Sequence, residues 1–115
     1  MIYALNLFNL VAGRENDYRA YSARAGRIVF GVGGRVVNAG SGPLRRLHDD
    51  RERRHMIVVE FPNEEAFQEF LDEAERQGIH HLREASTTDY IWTLYEPWDL
   101  VSWVRQRGAD GTTTP

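Results

Sequence analysis

The sequence predicts an α+β domain of the ferredoxin-like type, β-α-β-β-α-β, with a four-stranded antiparallel sheet and both helices on one face. Three observations carry that prediction. Four short segments, residues 2–8, 35–39, 55–61 and 88–95, are rich in strand formers and bounded by turn residues. Two longer ones, 14–30 and 63–78, place apolar residues at helical spacing. A chain of 115 residues with 42% hydrophobic content has room for one core and one domain, here residues 1–107 followed by a flexible tail at 108–115.

Each element has its own signal. The first strand, IYALNLF, stops at Asn9 and Gly13. The first helix buries Tyr18, Tyr21, Ala25, Ile28 and Val29, carries arginines 14, 19, 24 and 27 between them, and ends at Gly31, Gly33 and Gly34. After the second strand, residues 40–54 combine GSGP with LRRLHDDRERR, so turn formers and alternating charge predict an exposed hairpin connection. HMIVVEF is the third strand. Asn63 then caps a helix whose first acids, Glu64 and Glu65, face the positive end of its dipole. Ala66, Phe67, Phe70, Leu71 and Ala74 form its buried stripe, and Gly78 interrupts it before a further turn through His80 and Leu82. TDYIWTLY is the fourth strand, ended by Pro97, and Trp98, Val101 and Val104 form one face of a short terminal helix.

The strands are apolar on both alternations: Ile2, Ala4 and Phe8 against Tyr3, Leu5 and Leu7, and His55, Ile57, Val59 and Phe61 against Met56 and Val58. Helices cover one face only, so the other predicts a homodimer packed sheet against sheet, with residues 98–104 extending the contact.

Composition removes several functions. A net charge of -3 and a pI near 5.8 leave no basic field for nucleic acid. Without cysteine there is no disulfide, thiolate metal site or thiol nucleophile. All fourteen basic residues are arginine, so no Schiff-base lysine exists; GC-rich coding explains the bias. No apolar run reaches the ~20 residues of a membrane span, and Met1 opens into a strand-like segment, so the expectation is a cytoplasmic protein with no membrane partner. The GVGG of residues 31–34 lacks the context of a dinucleotide loop, and no serine sits in a nucleophile elbow.

The remaining chemistry concentrates at the end of the second helix. In IHHLRE, His80 and His81 are adjacent and point about 100° apart on a helix, so they do not share a small metal ion. One of them, His80, is the candidate proton carrier or axial ligand near neutral pH; the other reading makes both surface residues at a helix end. Asn6 interrupts an apolar strand, and its buried amide needs a partner, from the protein or a ligand. Tyr21, Phe70 and Trp92 are candidates to line an apolar pocket with a few polar handles. Arg83 is a candidate for a ligand carboxylate, with Glu84 as an alternative partner. Glu60, among apolar neighbours, is either a base or the partner of an arginine.

The ALNLF start, the tyrosine-bearing first helix ending in Gly-Gly, the VVEFPNEEAFQEFL block and the IHHLRE turn resemble the dimeric α/β-barrel superfamily over residues 2–96, nearest to its small bacterial domains of unknown function. That superfamily includes cofactor-independent antibiotic-biosynthesis monooxygenases, haem-degrading monooxygenases, muconolactone-type isomerases, aldoxime dehydratases and members without known activity. The haem-degrading members use an asparagine, a tryptophan and a histidine at places matched here by Asn6, Phe70 and His80, with phenylalanine departing from the pattern. The resemblance implies a dimeric enzyme needing no organic cofactor, with His80 and Asn6 catalytic. Tyr21, Phe70, His81, Arg83 and Trp92 would bind an aromatic or polyketide-like small molecule. A non-catalytic ligand-binding or dimerising domain, and a haem protein ligated through His80, are the alternatives.

Overall fold

The structure, a computed structural model, describes residues 1–106; the predicted tail at 108–115 lies outside them. Its elements are β1 (Ile2–Leu10), α1 (Glu15–Gly31), β2 (Arg35–Ser41), β3 (His55–Phe61), α2 (Glu64–Gln77), α3 (His80–Ser86), β4 (Thr87–Tyr95) and α4 (Leu100–Arg105). The four strands form one sheet in the order β2-β3-β1-β4, every pair antiparallel, which is the ferredoxin-like arrangement.

Local chemistry explains the boundaries. The Asn63 side chain accepts a hydrogen bond of 2.8 Å from the Ala66 backbone N–H, so the expected cap is in place. Gly78 ends α2 at φ 65°, a left-handed conformation that glycine adopts without strain. The further turn expected beyond it is a separate helix, α3. Gly34 starts β2 under a steric limit: a Cβ there would lie 2.9 Å from the Glu60 carbonyl oxygen and 3.0 Å from Val29 Cγ1.

Period-two alternation sends the two sides of each strand to different fates. Ala4, Asn6 and Phe8 are buried, whereas Leu5 and Leu7 between them are partly exposed. The core joins Ala4 and Phe61 of the sheet to Tyr21, Ala25, Ile28 and Val29 of α1, Phe70 and Ala74 of α2, and Ile79. On the other face, Leu5, Leu7, Met56 and Val58 are only half-buried and Ile91 and Tyr95 exposed, Arg51 and Arg53 of the β2–β3 connection border Leu7 and Ile91, and Glu60 pairs with Arg35 at 3.3 Å.

The connection between β2 and β3 is exposed, as its charge pattern predicts, but its last residues are tied down. Asn9 Nδ2 donates to the Glu52 carbonyl (2.8 Å) and to Asp89 Oδ2 (3.1 Å), and the Arg54 backbone N–H donates to Asn9 Oδ1 (2.8 Å). One side chain thus stands in for a strand neighbour. At the other extreme, α4 is exposed along its whole length, with Trp98 and Trp103 stacked edge to face at 5.4 Å. The radius of gyration, 17.3 Å, exceeds the about 13 Å of a compact chain of this size.

Candidate functional site

Between the sheet and α1 lies a cavity of about 70 Å³. Strand register assembles its polar wall. Asn6 of β1 stands opposite Trp92 of β4, and both side chains point toward the helices because they share the alternation of Ala4 and Phe8. Asn6 Nδ2 donates to Tyr90 Oη at 2.6 Å. The Asn6 Oδ1 acceptor and the Trp92 Nε1 donor are buried and have no partner. Two orphaned groups of opposite hydrogen-bonding character on residues lining one small cavity are a polar demand that a ligand hydroxyl or water can meet.

The apolar walls come from Tyr18, Tyr21, Phe70 and the β3 residues Ile57, Val59 and Phe61. Edge-to-face packing of Phe67 (5.2 Å) and Phe70 (5.7 Å) against Trp92 fills much of the space that the sequence alone would leave open. Burial pushes the phenols of Tyr18 and Tyr21 well above their ordinary value, and each is reinforced by the neighbouring Tyr90. Tyr90 is raised by burial as well, with the Asn6 hydrogen bond and the Arg83 charge opposing. At neutral pH the three hydroxyls are therefore donors, not bases. No carboxylate lines the cavity, so its chemistry is to orient and polarise an oxygen.

A larger open groove, about 340 Å³, shares Tyr18 and Ile57 with the cavity. Its other walls are largely apolar: Phe8, Leu10, Ala39, Gly40, Met56 and, at one side, Ser41 and His55. The His55 ring stacks on Phe8 with centroids 5.5 Å apart. Sequence reasoning passed over His55, Tyr18 and Tyr90 as ordinary strand and core residues. For His55 the signal was present, since it shares an alternation with Ile57, Val59 and Phe61.

The structure brings Asn6, Tyr21, Phe70 and Trp92 together around one cavity, and it places His80, His81 and Arg83 outside the lining. His80 Nε2 lies 3.5 Å from Glu75 Oε2, and its Nδ1 is buried without a partner. His81 is exposed, its Nδ1 2.7 Å from the Gly78 carbonyl oxygen. Arg83 sits over the Tyr90 ring, Cζ 4.7 Å from the centroid, and makes no pair with Glu84. Among the described residues no cluster of three metal-ligating side chains exists. Nor do the residues fit a haem: about 70 Å³ beside Asn6 and Phe70 is far below a porphyrin's volume, and His80 is not on its wall.

Residues 3–94 match the family described as Domain of unknown function (DUF1330). Two crystal structures of a protein of unknown function from Rhodopseudomonas palustris are 24% and 25% identical to this chain, each covering 85% of it and 82% and 81% of that protein, with TM-scores of 0.74 and 0.73. SnoaB, a cofactor-independent oxygenase from Streptomyces nogalater, is 13% identical over 85% of this chain and 93% of its own, with a TM-score of 0.56. No curated protein matches the chain.

Proposed function

The chain belongs to the DUF1330 family and has the ferredoxin-like fold of the dimeric α/β-barrel type, and from that premise we propose that it is a small-molecule enzyme. It holds an apolar, oxygen-bearing compound in the groove between β2, β3 and α1, with a phenolic or enolic hydroxyl entering the Asn6 cavity. The observation that carries this reading is the pair of buried, unpartnered atoms, Asn6 Oδ1 and Trp92 Nε1, on one cavity wall. A phenolic or enolic hydroxyl between them satisfies both, donating to Asn6 Oδ1 and accepting from the Trp92 N–H, and the negative charge that develops on its oxygen is stabilised by the Trp92 N–H and the neutral tyrosines. That assistance suits oxidation, isomerisation or cyclisation of an activated aromatic or polyketide-like compound. SnoaB, with the same fold, is a cofactor-independent oxygenase, which supports the reaction class only by analogy of fold. Proton transfer falls to a histidine, and His55 is the better placed of the two candidates because it lines the groove while His80 pairs with Glu75.

The competing reading, a binding domain without catalysis, is favoured by the aromatic filling: about 70 Å³ takes only the polar end of a ligand, below the roughly 300–1,000 Å³ of common ligand sites. Two measurements separate the possibilities. Titration with 1-naphthol, followed through the indole N–H resonance of Trp92, tests the site, and an unmoved resonance removes both readings. Oxygen uptake or isomerised product with hydroxylated anthrones then tests catalysis; binding without any turnover leaves the binding domain.

The assembly we propose is a homodimer. Its support is the half-buried apolar face carrying Leu5, Leu7, Met56 and Val58, together with the exposed apolar residues of α4.

A further inference from the structure

Arg83 is the unexplained charge in this molecule. Among the described residues, arginines 14, 35, 46, 51, 54 and 76 each have a carboxylate within ion-pair distance, and Arg83 has none. Most of the remaining arginines are exposed, where water suffices. Arg53 is half-buried like Arg83, yet it donates to the Asp89 carbonyl at 3.0 Å. Arg83 reaches no carboxylate or carbonyl of this kind; it meets the neutral Tyr90 side chain, and its Nε is buried with no acceptor. An ion held partly out of water without a counter-charge is costly, so the fold is expected to reserve it for an anion.

The surroundings specify that anion. The guanidinium lies 4.7 Å from the Tyr90 ring, whose hydroxyl receives the Asn6 amide at 2.6 Å, so Arg83 adjoins the polar end of the cavity. Its positive charge reaches the phenols of Tyr18 and Tyr21 as well, and all three tyrosines are protonated donors at neutral pH. Donors and one cation, with no acidic side chain paired to it, form a receptor for a single negative charge. On the other side of Tyr18 begins the apolar groove. We infer that the ligand is a monocarboxylate with an apolar or aromatic body, its carboxylate held by Arg83 and the tyrosine hydroxyls and its body in the groove beside Phe8 and Ile57. A phosphate, carrying close to two charges, is poorly matched by one arginine. This inference rests on the small-molecule reading above and narrows its substrate class.

The test compares 1-naphthoate with 1-naphthol, two probes of similar body and different charge, on the full chain at pH 7. The expected result is that 1-naphthoate binds about tenfold or more tightly than 1-naphthol. In Arg83→Gln that preference disappears while the affinity for 1-naphthol is unchanged, and Arg83→Lys keeps part of it. Equal affinity of the two probes for the wild-type chain overturns the inference without recourse to any variant, and leaves the site itself standing. A preference for naphthoate that survives intact in folded Arg83→Gln overturns it too. If neither probe moves the Trp92 indole resonance, the site and the inference fall together.

Discussion

The two faces of the sheet are built from the same strands and end with opposite properties. On the helix side, Ala4, Asn6, Phe8 and Phe61 are buried, and the polar atoms among them are either bonded or aimed at a cavity. On the bare side, Leu5, Leu7, Met56 and Val58 have comparable hydrophobicity but are only half-buried. The difference teaches that apolar content alone does not say where chemistry sits. What marks the functional face is a polar residue held inside it, because burial makes each unsatisfied donor or acceptor matter.

Substitutions on the two sides should therefore behave differently. The largest effect is expected at Phe61, 1% exposed: Phe61→Ala should cost about 3–5 kcal/mol in denaturant unfolding, since neither Phe67 nor Phe70 can collapse fully into the void. A cost near that of a surface change would contradict the packing described. High pH acts on the same face. The folded state holds the Tyr18 and Tyr21 protons more tightly than the unfolded chain, whose phenols titrate near 10.0, so the folded state binds more protons above that pH. Stability should be flat below about pH 10 and fall above it, approaching about 1.4 kcal/mol per pH unit for each tyrosine. A Tyr18→Phe, Tyr21→Phe double variant should flatten the slope.

On the bare face the readout shifts from folding to assembly. Val58→Asp should change the unfolding free energy by no more than about 1 kcal/mol yet move the sedimenting species from dimer to monomer. A monomeric wild-type protein would break the comparison, leaving the apolar face without a cover. The smallest effect belongs to the ion pair at that face's margin: with Arg35 71% exposed, Glu60→Gln should lose less than about 1 kcal/mol, detectable only at low salt.

Much of the fold was legible. The third strand, residues 55–61, coincides with β3, and the Asn63 cap and Gly78 stop coincide with the ends of α2, because strand alternation, side-chain capping and left-handed glycine act over a few residues. Asn6, Tyr21, Phe70 and Trp92 also line one cavity, since each interrupts or enriches an inward-facing pattern. The histidines show the limit. IHHLRE places two of them on a helix end, but whether His80 turns toward the sheet or toward Glu75 depends on how α3 packs, and no local periodicity encodes that. His55 went unweighed for the converse reason: it reads as one more member of the alternation with Ile57, Val59 and Phe61, and only the groove beside Phe8 gives it a role.

The sequence by itself determined the order of elements, the two apolar faces of the sheet and the exclusion of cysteine and lysine chemistry. These depend on residue type and on spacing along the chain. Only the tertiary structure decided which polar atoms meet. Asn6 and Tyr90 are separated by 84 positions and joined at 2.6 Å, and Arg83 reaches that pair from another helix. Such meetings are fixed by the antiparallel register of β1 with β4 and by the docking of α3, where a slip of one residue would turn every inward side chain to the opposite face.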